Sequence, residues 1–111
     1  MSKFSRTNKQ REAFVTSLSR ALILNGKIVT TRVRAKTIKQ KVDKFITKAK
    51  SPNLSVVRIL TAQVGKDSAQ KLIKEIGPSL AERRGGYTRI INLPDRKSDA
   101  SKMAVVEIIK S

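Results

Sequence analysis

The stretch GPSLAERRGGYTRII, residues 77–91, gathers Arg83, Arg84 and Arg89 around Gly85, Gly86 and Tyr87. A guanidinium is planar, donates two parallel hydrogen bonds to a phosphate, and can stack on a base. A glycine pair permits positive φ and removes side chains that would hold a sugar-phosphate chain away. A plainer reading uses the same residues: a helix stop, a turn, and at least one arginine that pairs with Glu82 or caps a helix. The segment lacks the G-x-x-x-x-G-K-[ST] pattern of a phosphate-binding loop. Tyr87, the only tyrosine, fits a strand or core position better than a base-stacking platform.

Other chemistry is sparse. The chain has no histidine and no cysteine, which removes the usual general base, the commonest transition-metal ligand and any disulfide framework. Its 8 carboxylates show no spacing that suggests a catalytic pair or a metal site, and its serines lack a histidine partner. The expectation is a non-enzyme with no cofactor, no metal and no small-molecule substrate.

Charge is the dominant signal. The 111 residues carry a net +17, of which residues 1–50 hold +12 and residues 51–111 hold +5. Such an excess calls for a polyanion, and nucleic acid is the commonest. Membrane binding is not expected, since no segment approaches the roughly 18 apolar residues of a spanning helix. The N-terminus, MSKFSRTNKQ, lacks the apolar core of a secretory signal. At 4% aromatic residues, recognition by repeated aromatic stacking is disfavoured. Shape and phosphate recognition of folded RNA or duplex DNA remains.

The elements that must position these groups follow from periodicity and breakers. Residues 1–6 read as a short basic arm and residues 7–111 as a single domain. Thr7, with Gln10 three residues on, is expected to cap a helix over 8–24 whose apolar face is Phe14, Leu18, Ala21 and Leu22, stopped by Asn25-Gly26. KIVTTRV, residues 27–33, fits a short strand. Residues 34–50 form the clearest helix: Ala35, Ile38, Val42, Phe45, Ile46 and Ala49 share one face, and Lys36, Lys39, Lys41, Lys44, Lys48 and Lys50 cover the rest. A helix over 54–64 with Val57, Leu60 and Val64 inward follows the breaker Ser51-Pro52-Asn53. Another starts near Asp67 and Gln70, carries Leu72, Ile73 and Ile76, and ends at Gly77-Pro78. Ser79, with Glu82, is expected to cap one further turn. Residues 87–93 and 103–110 read as strands with both faces covered. The fold class expected is α+β: a single small domain with a short mixed sheet of about three strands and helices packed on it.

The sequence also resembles a known family, the seventeenth large-subunit ribosomal protein of bacteria and organelles. Thr30-Thr31, Arg34-Ala35-Lys36 and Ile46-Thr47-Lys48-Ala49-Lys50 are similar to its TTxxRAK…ITxAK block. Gly77-Pro78, Arg83, Gly85-Gly86-Tyr87-Thr88-Arg89-Ile90 are similar to GP…RxGGYTRI. RKSDASKMAVVEI, residues 96–108, resembles its ending. The blocks are in family order over about residues 7–110. Two departures stand out: family members usually begin with a longer basic arm, and Ser98 replaces the family glycine.

The resemblance implies a structural constituent of the large ribosomal subunit that binds large-subunit ribosomal RNA near the nascent-chain tunnel exit. Its partners would be that RNA and neighbouring ribosomal proteins, with a cytoplasmic location, bacterial in preference to organellar. The candidate RNA contacts are Lys3, Arg6, Lys9, Arg11, Arg34, Lys36, Lys48, Arg83, Arg84, Arg89, Arg96 and Lys97. Charge alone also admits a small basic DNA-compacting protein; the three family blocks separate the two readings.

Overall fold

The computed structural model describes residues 3–94 and 102–109, with side chains from Gln10 onward except that of Arg11. The elements run α1 (Lys3–Asn25), β1 (Lys27–Thr31), α2 (Arg32–Ala49), α3 (Leu54–Val64), α4 (Lys66–Lys71), a π-helical turn (Leu72–Ile76), α5 (Gly77–Ser79), β2 (Thr88–Asn92) and β3 (Met103–Ile108). Helices and one sheet share a single core, as the α+β reading expects.

The centre of that core is α2, where all six residues of the expected apolar face are buried: Ala35, Ile38, Val42, Phe45, Ile46 and Ala49. Thr31 caps the helix, its side-chain oxygen accepting from the Arg34 amide. The cap draws Arg32 and Val33 out of the predicted strand and into the helix. Against this face pack Leu22 and Ile23 of α1, Leu60 and Val64 of α3, and Leu72 and Ile76 of the π turn.

Several local expectations are corrected. Helix α1 begins at Lys3, so Thr7 lies inside it; residues 3–6 contain no glycine or proline to hold the helix back. Its buried stripe centres on Ser19, Leu22 and Ile23, with Val15 and Leu18 half-buried, and Phe14 is 47% exposed. In α3, Val56 packs inward in place of Val57, and Asn53 caps the helix by accepting from the Val56 amide at 2.9 Å.

Gly77-Pro78 does not end its helix. The chain stays helical from Lys66 through Ser79, because the wider π turn just before Pro78 relieves the clash and the missing donor that proline imposes. Gly77 serves packing instead: a Cβ placed there would stand 2.8 Å from the backbone oxygen of Ala49. Ser79 caps nothing and donates back to the Ile76 carbonyl at 2.9 Å.

The sheet has the order β1-β3-β2 with both pairings antiparallel, so it is not mixed. Among the described residues only one face is covered. Ile28, Val106 and Ile90 stand in register on the helix side, followed by Thr30 and Ala104. Val29, Val105 and Ile91 form the matching row on the open side, where Val29 is 59% and Ile91 44% exposed. Among the described residues no helix is long and apolar enough to cross a membrane.

Candidate nucleic-acid interface

The lysines of α2 divide into two sets according to what lies beside them. Lys39 and Lys50 sit on the flank facing β2 and are engaged within the protein. Lys39 Nζ contacts Asp43 Oδ2 at 2.9 Å and Thr88 Oγ1 at 3.4 Å, and Thr88 donates to Asp43 Oδ1 at 3.0 Å. Lys50 Nζ donates to the Tyr87 hydroxyl at 2.9 Å and to the Arg83 carbonyl oxygen. These two ammonium groups join the helix to the 80–88 segment and are not spare charge for a polyanion.

On the opposite flank Arg34, Thr37, Lys41, Lys44 and Lys48 recur at alternating steps of three and four, which puts them on one stripe. Thr37, Lys41, Lys44 and Lys48 line a groove of about 460 Å³ whose other wall is Glu12 and Val15 of α1 and Gln63 of α3. Three cations face one carboxylate there, so the groove carries net positive charge. At its C-terminal end the stripe turns a corner: Lys44 and Lys48 also line a cleft of about 330 Å³ with Asp43, Thr47, Gly85, Gly86 and Tyr87, where the Asp43 carboxylate is already held by Lys39 and Thr88.

The Gly85–Gly86 turn behaves as its composition demands. Gly86 has φ +63°, the left-handed region where a side chain is disfavoured. A Cβ on either glycine would meet nothing within 4 Å, so the backbone is bare towards solvent. Tyr87 anchors the turn, 2% exposed, with the Lys50 ammonium 4.9 Å from its ring centroid. The hydrogen bond from Lys50 holds its hydroxyl pKa below the ordinary value of 10.0, against the upward pull of burial and with help from Thr47 and the Lys50 charge.

The three arginines of this segment do not act alike. Arg89 pairs with Glu107 on the open sheet face. Arg83 turns back, its Nε donating to the Gly86 carbonyl at 3.0 Å, so it braces the glycine turn. Arg84 is exposed. Of the other candidates, Lys36 and Lys48 are exposed on α2, and Arg34 is exposed with its guanidinium carbon 4.5 Å from the Phe14 ring centroid. Lys3, Arg6, Lys9 and Arg11 fall on the first turns of α1, where the backbone alone is described. Arg96 and Lys97 lie outside the described residues.

The structure thus brings Lys48 to the glycine pair and separates Arg89 from Arg83 in role. The candidate list omits Lys41 and Lys44, although the 34-37-41-44-48 spacing was there to mark them. It also omits Arg32, whose Nη2 donates to the Leu93 carbonyl at 2.9 Å and Nε to the Met103 carbonyl at 3.2 Å, tying the ends of β2 and β3 to α2. No local pattern signals that role, since both acceptors lie more than 60 residues away in sequence. Among the described residues no group of three or more carboxylates could hold a metal ion.

Comparison with known proteins converges on one family. The family model described as ribosomal protein L17 matches residues 14–109. The large ribosomal subunit protein bL17 of Acholeplasma laidlawii (strain PG-8A) is 42% identical over 115 aligned residues, which cover 97% of each chain.

Proposed function

This chain belongs to the ribosomal protein L17 family, and from that premise we propose that it is a structural protein of the large ribosomal subunit that binds ribosomal RNA through the stripe on α2 and the adjoining glycine turn. The observation that carries this reading is the shared position of Lys44 and Lys48. They line both the α1–α2–α3 groove and the cleft beside Gly85 and Gly86. Exposed ammonium groups therefore continue directly onto bare backbone, the combination a sugar-phosphate chain needs for close approach.

Within the same reading, Lys36, Lys48 and Arg84 contact phosphate directly, and Arg34 contacts the same RNA at the head of the stripe. Lys3, Arg6, Lys9, Arg11, Arg96 and Lys97 complete the proposed set of contacts to the same RNA. Arg83 and Arg89 contribute field, with their geometry committed to Gly86 and Glu107. The family resemblance supports a place near the nascent-chain tunnel exit, beside other large-subunit proteins, and the bacterial relative supports a bacterial cytoplasm.

The test is the salt dependence of binding to a large-subunit ribosomal RNA transcript. The slope of log K against log salt should be about −0.7 to −0.9 per phosphate contacted, summed over several contacts. A near-flat dependence would overturn the electrostatic basis of the reading.

A further inference from the structure

The sequence argues against base stacking because aromatic residues are scarce, yet the fold builds one stacking surface from two residues that are far apart in the chain. Phe14 is 47% exposed on α1, and the guanidinium carbon of Arg34 on α2 lies over its ring at 4.5 Å from the centroid. A guanidinium is planar and has two faces. When one rests on an aromatic ring, the side chain is held in place at reduced entropic cost and the other face is free to stack on a further π-system. Arg34 is exposed.

The position of this pair gives the stack a ligand. Arg34 begins the stripe that continues through Lys41, Lys44 and Lys48 at helical spacing, a run of about 21 Å along α2 at 1.5 Å per residue. A strand whose phosphates follow those lysines along the groove would bring a base to Arg34 at the groove's N-terminal end. A base locked in an A-form duplex cannot offer its face, because both faces are already stacked on neighbours. Only an unpaired nucleotide in a loop or bulge can do so.

We propose that Arg34, supported by Phe14, is a stacking platform for one unpaired base of a looped RNA segment whose phosphates run along Lys41, Lys44 and Lys48. This rests on the RNA-binding reading above and deepens it: the site selects looped over fully paired RNA. Glu12, on the opposite wall of the groove, works against phosphate there and favours a base or ribose on its side.

The experiment compares two probes, an RNA hairpin with an all-adenosine loop and a fully paired RNA duplex of the same stem, each titrated with full-length wild type, Arg34→Lys and Phe14→Leu. Arg34→Lys keeps the charge and removes the plane, and Phe14→Leu removes the ring beneath it. The expected result is a loss of roughly tenfold in affinity for the hairpin in both variants, in the range of one lost base stack. Affinity for the duplex and the salt slope should be unchanged. Equal losses on both probes, or no loss on the hairpin, would overturn the platform while leaving the RNA-binding reading intact. Failure of wild type to bind either probe would overturn both. Unchanged circular dichroism and thermal midpoint in the two variants separate loss of stacking from loss of fold.

Discussion

Lys50 and Tyr87 meet at 2.9 Å, an ammonium at the C-cap of α2 against the hydroxyl of the residue that follows the glycine pair. The same ammonium also holds the Arg83 carbonyl oxygen. One cation thereby fixes both sides of the 83–87 turn to α2, and it sets where Lys44 and Lys48 lie relative to Gly85 and Gly86.

This contact predicts an unusual titration. Tyr87 is the only tyrosine and there is no tryptophan, so phenolate absorbance reports on it alone. In the wild type it should ionise below 10.0, with Lys50 the main cause. In Lys50→Met the largest downward cause is gone, burial and the Asp43 charge stand against the Thr47 hydrogen bond alone, and the transition should move up from its wild-type position. Because the folded-state value is the lower one, ionisation adds stability as pH rises from that value towards about 10, the unfolded one. The gain is fully present above the unfolded value only while Lys50 stays charged, and it is lost as pH falls through the folded value. Coincident titrations of wild type and Lys50→Met would refute the contact.

Gly77 and Gly85 should respond in opposite ways to alanine. At Gly77 a methyl group would press on the Ala49 backbone at 2.8 Å, which backbone cannot easily yield, so Gly77→Ala should cost about 1–3 kcal/mol in urea unfolding. Gly85→Ala meets nothing within 4 Å and should change stability by less than about 0.5 kcal/mol. Equal effects would mean the α2–α5 contact is looser than described.

Ile46 and Phe14 form a second contrasting pair. Ile46 is fully buried, so Ile46→Ala should cost about 2–5 kcal/mol. Phe14 is nearly half exposed, and Phe14→Ala should cost about 1 kcal/mol or less. If Phe14→Ala proved as damaging as Ile46→Ala in denaturant titrations, the phase assigned to α1 would be wrong.

Arg32 offers a test of how the sheet is held to α2. Its two donations to the Leu93 and Met103 carbonyls are charge-assisted, and replacing it with Met should cost about 1.5–3 kcal/mol. Amide exchange should rise first at Leu93, whose N–H bonds to Met103 at 2.9 Å. An exchange pattern unchanged at that amide would show that Arg32 contributes charge alone.

The parts of this fold that were legible in the sequence are those with a strong local period. The apolar face of α2 is buried residue for residue, because six positions at helical spacing leave one possible phase. Phe14 misled the reading of α1 because hydrophobicity by itself does not distinguish a core position from a ring covered by an arginine on another helix. Gly77-Pro78 looked like a stop because the π turn that accommodates it has no sequence signature. The division of the lysines was hidden for a similar reason. Lys39 carries one local sign, Asp43 four residues on, but Lys50 resembles Lys44 and Lys48 locally, and only partners 33 and 37 residues away set it apart.

The most direct test of the central claim is entry into the large subunit. Lys44, Lys48 and Arg84 are exposed, and no ion pair between them and a carboxylate is found among the described residues. The variant Lys44→Glu/Lys48→Glu/Arg84→Glu should therefore stay folded, with a thermal midpoint close to wild type. Expressed beside the wild-type protein and followed through sucrose gradients, it should remain at the top while the wild type sediments with large subunits. Co-sedimentation of the folded variant at the wild-type level would contradict the account, because the groove and the glycine turn would then not be where the RNA is held.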